Sequence, residues 1–263
     1  MRTLADYAVA ALTAADPAEK CRLTRAAADA WAAGGLEVGS AVPPLRPARP
    51  ARPELRAPRD MPKRSTGPIG RIALMHALAH IELNAIDLAW DIIARFTDRG
   101  LPRGFYDDWV RVAAEEALHF ELVAGVLAAR GAAYGDMPAH DGLWEAAVST
   151  ADSLEARLAI VPLTHEARGL DTTPASLARL RGHEGTEDIT AALDIIYRDE
   201  ITHVAAGARW FAWLADQAGT DPAAAYHAIL RDRYKGGLKP PFNIPARTEA
   251  GMPEAWYLPM ARG

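Results

Sequence analysis

An all-α fold, a four-helix bundle with additions at both ends, is predicted by three features of the 263-residue chain. Alanine is abundant and β-branched alternation is scarce, a composition that favours helix over strand. Long stretches repeat apolar residues at intervals of three and four, which places them on one helical face. Finally, Glu-x-x-His occurs twice, at Glu116–His119 and Glu200–His203, and each copy has a glutamate 34 residues upstream, Glu82 and Glu166.

In chain order, residues 3–15 and 17–34 read as two short amphipathic helices, with Asp16-Pro17 as N-cap and first helical position and Gly34-Gly35 as the stop. Pro43 to Pro62 holds seven prolines interleaved with Arg46, Arg49, Arg52, Arg56 and Arg59. Proline at that density forbids helix and favours an extended path. The segment is expected to strap the bundle; a basic arm for RNA phosphates is the lesser reading, because five arginines make a thin footprint in an acidic chain.

The first long helix is expected from about Gly70 to Asp98 and carries Glu82; after the turn Gly100–Gly104 the second, about Tyr106 to Arg130, carries Glu116 and His119. Glu82 lies 18 residues before Gly100 and Glu116 lies 12 after Gly104. At about 1.5 Å per residue, an antiparallel hairpin brings the two groups to a similar level. A turn-rich connection, Gly131 to Gly142, leads to a third long helix from near Leu143, broken around Ser149, which carries Glu166. Pro162 is expected to kink it and Thr172-Thr173-Pro174 to break it again. The fourth, about Glu187 to Ala218, carries Glu200 and His203; Asp221-Pro222 caps a short helix to about Tyr234. Residues 235–263 read as an irregular surface tail. The expected organisation is one structural unit: 1–67 (helices and strap), 68–234 (bundle) and 235–263 (tail).

The faces around the four glutamates are apolar. Positions one and two turns away from Glu82 include Met75, Ala79 and Ile86; those around Glu116 include Trp109, Val112 and Val123; those around Glu200 include Leu193, Ile196 and Val204. These stripes carry no lysine or arginine. An ionised carboxylate buried without a partner costs several kcal/mol, about enough to unfold a marginal domain. Bound divalent metals remove that conflict, and two Glu-x-x-His helices with two further glutamates are the arrangement of di-metal carboxylate bundles. The expected ligands are therefore Glu82, Glu116 and His119 for one metal and Glu166, Glu200 and His203 for the other, with Glu116 and Glu200 as bridges. Iron is the first candidate and manganese the second.

Glu115 and Asp199 immediately precede ligand glutamates and are expected to accept the free imidazole N–H of His203 and His119 respectively. Tyr197, one turn before Glu200, is the catalytic candidate, with a packed core tyrosine as the equal reading. His76 and His80 stack at i,i+4 away from Glu82 and read as a contact between helices. His165 is expected to point elsewhere. Arg157, Arg168 and Asp171 read as charge pairs, with an anionic-substrate grip as the lesser reading.

The strings His-Ala-Leu-Ala-His-Ile-Glu-Leu-Asn-Ala-Ile-Asp (76–87), Glu-Glu-Ala-Leu-His-Phe (115–120), Tyr-Gly-Asp (134–136), Glu-Ala-Arg-Gly-Leu-Asp (166–171) and Asp-Glu-Ile-Thr-His-Val (199–204) resemble the DUF455 family of uncharacterised ferritin-like proteins. The resemblance runs from about Lys20 to the end. More distantly, the family is similar to di-iron hydroxylases that oxidise a modified tRNA base. It implies a ferritin-like fold and a di-metal site at the six positions, but no particular reaction. The histidine at 165 and the loop His183-Glu184-Gly185 depart from the family pattern and leave the six ligands untouched.

The net charge of −5 indicates no general polyanion partner, and the single cysteine, Cys21, excludes a disulfide framework and fits a reducing cytoplasm. The apolar run Tyr7–Ala15 is too short to span a bilayer and lacks a basic flank, so no membrane association is expected. The expected function is an O₂-activating oxidase or hydroxylase acting on a small molecule, with RNA as a weaker candidate, working as a monomer or small oligomer. The alternative is a ferroxidase or metal-handling protein without an organic substrate.

Overall fold

The computed structural model describes residues 2–234 and 237–262, which are predominantly helical; among them the only β pairing is two isolated bridges, Leu55 with Ala139 and Leu238 with Ala261. The chain divides into two compact units, Met1–Glu145 with Gly185–Ala192, and Ala146–Glu184 with Leu193–Gly263.

In the first unit, α1 (Leu4–Thr13) begins at a capping box in which Thr3 accepts from the Asp6 N–H and Asp6 accepts from the Thr3 N–H. The next helix, α2 (Pro17–Ala32), is capped by Asp16 as expected. Both lie on a hairpin formed by α3 (Pro68–Arg95) and α4 (Arg103–Ala128). Gly100, at φ 62°, supplies the left-handed residue of the turn between them. The shared core is apolar: Leu4, Leu12 and Cys21 meet Met75, Leu83, Ile86 and Trp90 of α3 and Trp109, Val112, Ala117 and Val123 of α4, all buried. By length and hydropathy α3 is apolar enough to cross a membrane, yet most of its apolar window is buried, as befits a core helix.

The proline-rich segment wraps this unit. The Ala48 N–H donates to the Leu12 carbonyl at 2.8 Å, Arg95 to the Pro44 carbonyl and Trp144 to the Leu45 carbonyl. Arg46 pairs with Asp141, and Arg49 reaches Asn84 at 2.6 Å and Asp87 at 3.2 Å. Asp87 is buried and is also bonded by the buried Lys20, so two cations share one carboxylate and tie α2 and the strap to α3. His76 and His80 hold the loop after α4 rather than another helix, which corrects the expectation from sequence. His76 Nε2 accepts the N–H groups of Gly135 and Met137 at 2.9 and 3.3 Å. His80 bonds the Tyr134 hydroxyl at 2.9 Å and the His140 carbonyl at 3.1 Å, and Tyr134 stacks on both imidazoles. The loop's own backbone donors explain the difference: a tight turn exposes N–H groups that an imidazole nitrogen can accept.

After α5 (Gly142–Ser149), the second unit holds α6 (Leu154–Ile160), a π turn (Val161–Glu166), α7 (Ala167–Arg181), most of α8 (Glu187–Gln217), and α9 (Pro222–Arg233), the last capped by Asp221. Two expectations are corrected here. Pro162 does not merely kink the third helix; the chain widens into a π turn that gives the ring room and then resumes α geometry. Nor does Pro174 break α7, which runs through it. A proline at 174 cannot donate to the Leu170 carbonyl four residues back. Asn243 Nδ2 donates to that carbonyl instead, at 3.0 Å.

Asn243 belongs to the C-terminal stretch, which contributes to the core of this unit instead of lying irregularly on a surface. It forms α10 (Ile244–Glu249) and α11 (Glu254–Tyr257) and buries Arg247, Met252, Trp256 and Tyr257. Arg247 makes a two-pronged bond to Asp171, at 2.9 and 2.7 Å, between the rings of Phe242 and Tyr257. Arg157 donates to Thr150 and to the Ala147 carbonyl, and Arg168 to the Lys239 and Pro241 carbonyls. The three charged residues weighed as a substrate grip thus serve the fold.

Candidate metal centre

Glu82 stands in the middle of α3, and Glu116 and His119 in the middle of α4, on the faces that the two helices turn to their shared core. All three are buried, and each offers a ligand atom within 4.8 Å of the others. His119 Nδ1 is 3.2 Å from Glu116 Oε2 and 3.7 Å from Glu82 Oε2. The longer approach is not a hydrogen bond, and Glu82 Oε2 is buried with no hydrogen-bond partner.

The charges of this cluster are strongly linked, and the group could hold a metal ion. Burial holds the Glu82 carboxyl well above the ordinary carboxylate range; His119 draws it back and Glu116 pushes it up again. Burial disfavours a charged His119, but Glu116 and Glu82 outweigh it and raise the imidazole well above its usual value. The two carboxylates and the imidazole thus favour a shared positive charge among them. Geometry fits as well. Oxygen and nitrogen ligands sit about 2.0–2.2 Å from a transition-metal ion, so two ligands of one ion are about 3 Å apart at right angles and about 4.2 Å apart when opposed. The two approaches of His119 fall inside that interval. A set of two carboxylates and one imidazole suits iron, manganese or zinc.

In the second unit, α8 carries Glu200 and His203 one turn apart, with His203 Nδ1 3.9 Å from Glu200 Oε2 and the imidazole buried. Glu166, half-buried, is the last residue of the π turn. That turn is pinned at two places. The ring of Pro162 lies against Gly207 of α8. The Tyr226 hydroxyl of α9 reaches the Leu163 carbonyl at 3.1 Å and Thr164 Oγ1 at 2.9 Å, while Thr164 Oγ1 donates to the Ala159 carbonyl at 2.8 Å.

Of the remaining expected residues, Glu115 pairs with Arg111 at 2.8 Å and Asp199 lies 3.3 Å from Arg198. Tyr197 accepts a hydrogen bond from Asn243 Nδ2 at 2.8 Å. His165 packs edge-on against Tyr234. Cys21 is buried and its thiol is pushed up to about 12 by that burial, as suits a packing residue. Sequence reasoning missed Tyr226, Asn243 and Gly207. Gly207 alone had a local signal, a glycine within a strongly helical pattern.

The fold and the cluster define an all-α protein with buried glutamate and histidine groups able to hold a metal ion. The chain belongs to the DUF455 family, described as a protein of unknown function, whose family profile matches residues 13–258. A protein of Haemophilus influenzae strain Rd, described as uncharacterized, is 42% identical over 205 residues, which cover 76% of this chain and 71% of the relative. No solved structure matches the chain.

Proposed function

We propose that this protein is a di-metal carboxylate protein, with iron as the metal and manganese as the second choice, that activates O₂ as an oxidase or hydroxylase. One observation carries the reading: Glu82, Glu116 and His119 are buried together, with ligand atoms within 4.8 Å of one another and the Glu82 Oε2 oxygen without a hydrogen bond. The count of two rests on the sequence, in which Glu166, Glu200 and His203 repeat the same three residues at the same spacing. Each triad would hold one ion.

The residues of each triad would hold iron, which when bound and reduced would supply the electrons that O₂ requires. The chain's own residues set geometry and exclude water. Trp109, Val112 and Val123 are buried at positions one and two turns from Glu116 on α4, and low polarity there strengthens every charge interaction. Tyr197 is the candidate proton donor, because its hydroxyl accepts from Asn243 and so keeps its own hydrogen for another acceptor. A small molecule is the proposed substrate and RNA the lesser one; a monomer or small oligomer in the cytoplasm is the proposed setting.

The test is metal analysis of protein purified without chelator, followed by anaerobic loading with Fe(II) and exposure to O₂. Two irons per chain, antiferromagnetically coupled after oxidation, are expected, with loss of both in Glu116→Ala. Iron that accumulates as Fe(III) beyond two per chain would assign the protein to metal handling instead. Absence of bound metal in every preparation would remove the proposal.

A further inference from the structure

The π turn ending at Glu166 has a feature that a simple proline distortion does not require. In an α-helix the Ala167 N–H would bond to the Leu163 carbonyl, four residues back. Here it bonds to the Pro162 carbonyl, five back, and the Leu163 carbonyl takes the Tyr226 hydroxyl instead. Tyr226 is completely buried on α9, edge-on to Phe211 and beside Trp256. A phenol in such surroundings must find a hydrogen-bond partner or cost about 1–3 kcal/mol. Its partners are all in or on the widened turn: Leu163 O and Thr164 Oγ1, the latter bonded in turn to Ala159 O. Two hydroxyl hydrogens thus serve three contacts, and the one to Leu163 occupies the carbonyl that an α register would return to the Ala167 N–H.

We infer that Tyr226, acting with Thr164, is a positioning residue that sets the direction of Glu166 by holding the π register. A π turn is an α-helix with one residue inserted. If it reverted to α geometry, Glu166 would swing by about 100° around the helix axis relative to Pro162, since each residue turns the helix by that amount. Pro162 itself is held against Gly207, four residues after His203 on α8, so the register of the turn decides where Glu166 points with respect to Glu200 and His203. The inference deepens the proposed function and rests on it, because it gives Tyr226 a purpose only if Glu166 is a ligand.

Cobalt(II) titration of the full-length apoprotein tests it, followed by the visible absorption of the bound ions and by calorimetry, with the melting temperature of the metal-free protein recorded alongside. The wild type is expected to take up two Co(II) per chain. Tyr226→Phe is expected to keep one site at wild-type affinity and to weaken the other by roughly 10- to 100-fold, the usual effect of losing a residue that orients a ligand. Thr164→Val should do the same and Thr164→Ser should restore it; the threonine pair supplies the answer if the phenylalanine variant does not fold. Equal, wild-type binding at both sites in Tyr226→Phe and Thr164→Val would overturn the positioning role and leave the metal reading intact. A wild type that takes up no Co(II) would overturn both. A loss shared evenly by the two sites, in step with the melting temperature, would also overturn it, as the sign of a purely structural role.

Discussion

The ring of Pro162 stands where a side chain on Gly207 would begin: a Cβ at residue 207 would lie 2.7 Å from the proline Cβ and 2.8 Å from its Cγ. Neither partner can yield, because the proline ring is rigid and Gly207 sits inside α8, seven residues after Glu200. Two effects oppose each other in Gly207→Ala. Alanine in a helix interior is favoured over glycine by about 1 kcal/mol, while forcing a methyl group into a filled space costs about 1–3 kcal/mol. The overlap wins, since it is with a ring rather than with the end of a flexible chain. Urea unfolding of the metal-free variant should show a net loss of about 1 kcal/mol, and a gain in stability would show that the helix and the π turn do not meet this closely.

Asn243 stands in for the backbone donor that Pro174 lacks. Its Nδ2 group donates both hydrogens, one to the Leu170 carbonyl and one to the Tyr197 hydroxyl. Asn243→Ala should cost about 1–3 kcal/mol by leaving these acceptors unserved. Pro174→Ala returns an N–H to the Leu170 carbonyl, so the cost of Asn243→Ala should be smaller by about 1 kcal/mol when measured in that background. Additive losses would separate the two residues.

The same pair shows where sequence reading stops. Helix positions, the capping residues Asp16 and Asp221, and the turn at Gly100 were legible because each depends on neighbours a few residues away. Glu82, Glu116 and His119 were legible for a different reason: carboxylates placed in apolar stripes without lysine or arginine make no sense as isolated residues. Nothing local tells that Asn243 will repair a helix 73 residues earlier, or that Tyr226 will take the carbonyl freed at Leu163. A proline reports the backbone bond it deletes and never the distant group that replaces it, so from sequence Pro162 reads as a kink and Pro174 as a break. The C-terminal stretch misled for a related reason. Its short helices have too few periodic positions to register, although Arg247 and Tyr257 are among the most deeply buried side chains.

His76 makes stability depend on pH. Its Nε2 accepts two backbone N–H groups, from Gly135 and Met137, and so must be unprotonated in the folded protein. Burial lowers its pKa from 6.5, while Asp136 pulls it up more weakly; Tyr134 is stacked on the ring. A lowered folded value means that the unfolded chain binds the proton more readily. The contribution is therefore complete above pH 6.5 and is lost as the pH falls below it toward the lowered folded value. Comparison of His76→Gln with the wild type by urea unfolding at pH 7.5 and pH 5.5 should show a smaller loss on acidification in the variant. His80 titrates in both proteins and is linked to His76 only weakly, so most of its contribution is shared. An identical loss in the two would exclude His76 as the titrating group.

Glu82→Gln separates the metal reading from a structural one most directly, because the change keeps the shape of the side chain and removes only its charge. In the metal-free protein Glu82 and Glu116 are buried with one imidazole between them, so neutralising one should leave stability equal or improve it by about 1 kcal/mol. With metal the order reverses. An ion that binds only the folded state stabilises it by about 2.7 kcal/mol at 100 times its dissociation constant. The wild type should gain that stabilisation on addition of Mn(II) or Co(II), and Glu82→Gln should lose most of it. Melting curves of both proteins, with and without metal, read the two effects separately. A variant that is less stable without metal and gains as much as the wild type from it would assign Glu82 to the architecture of the α3–α4 hairpin and remove it from the ligand set.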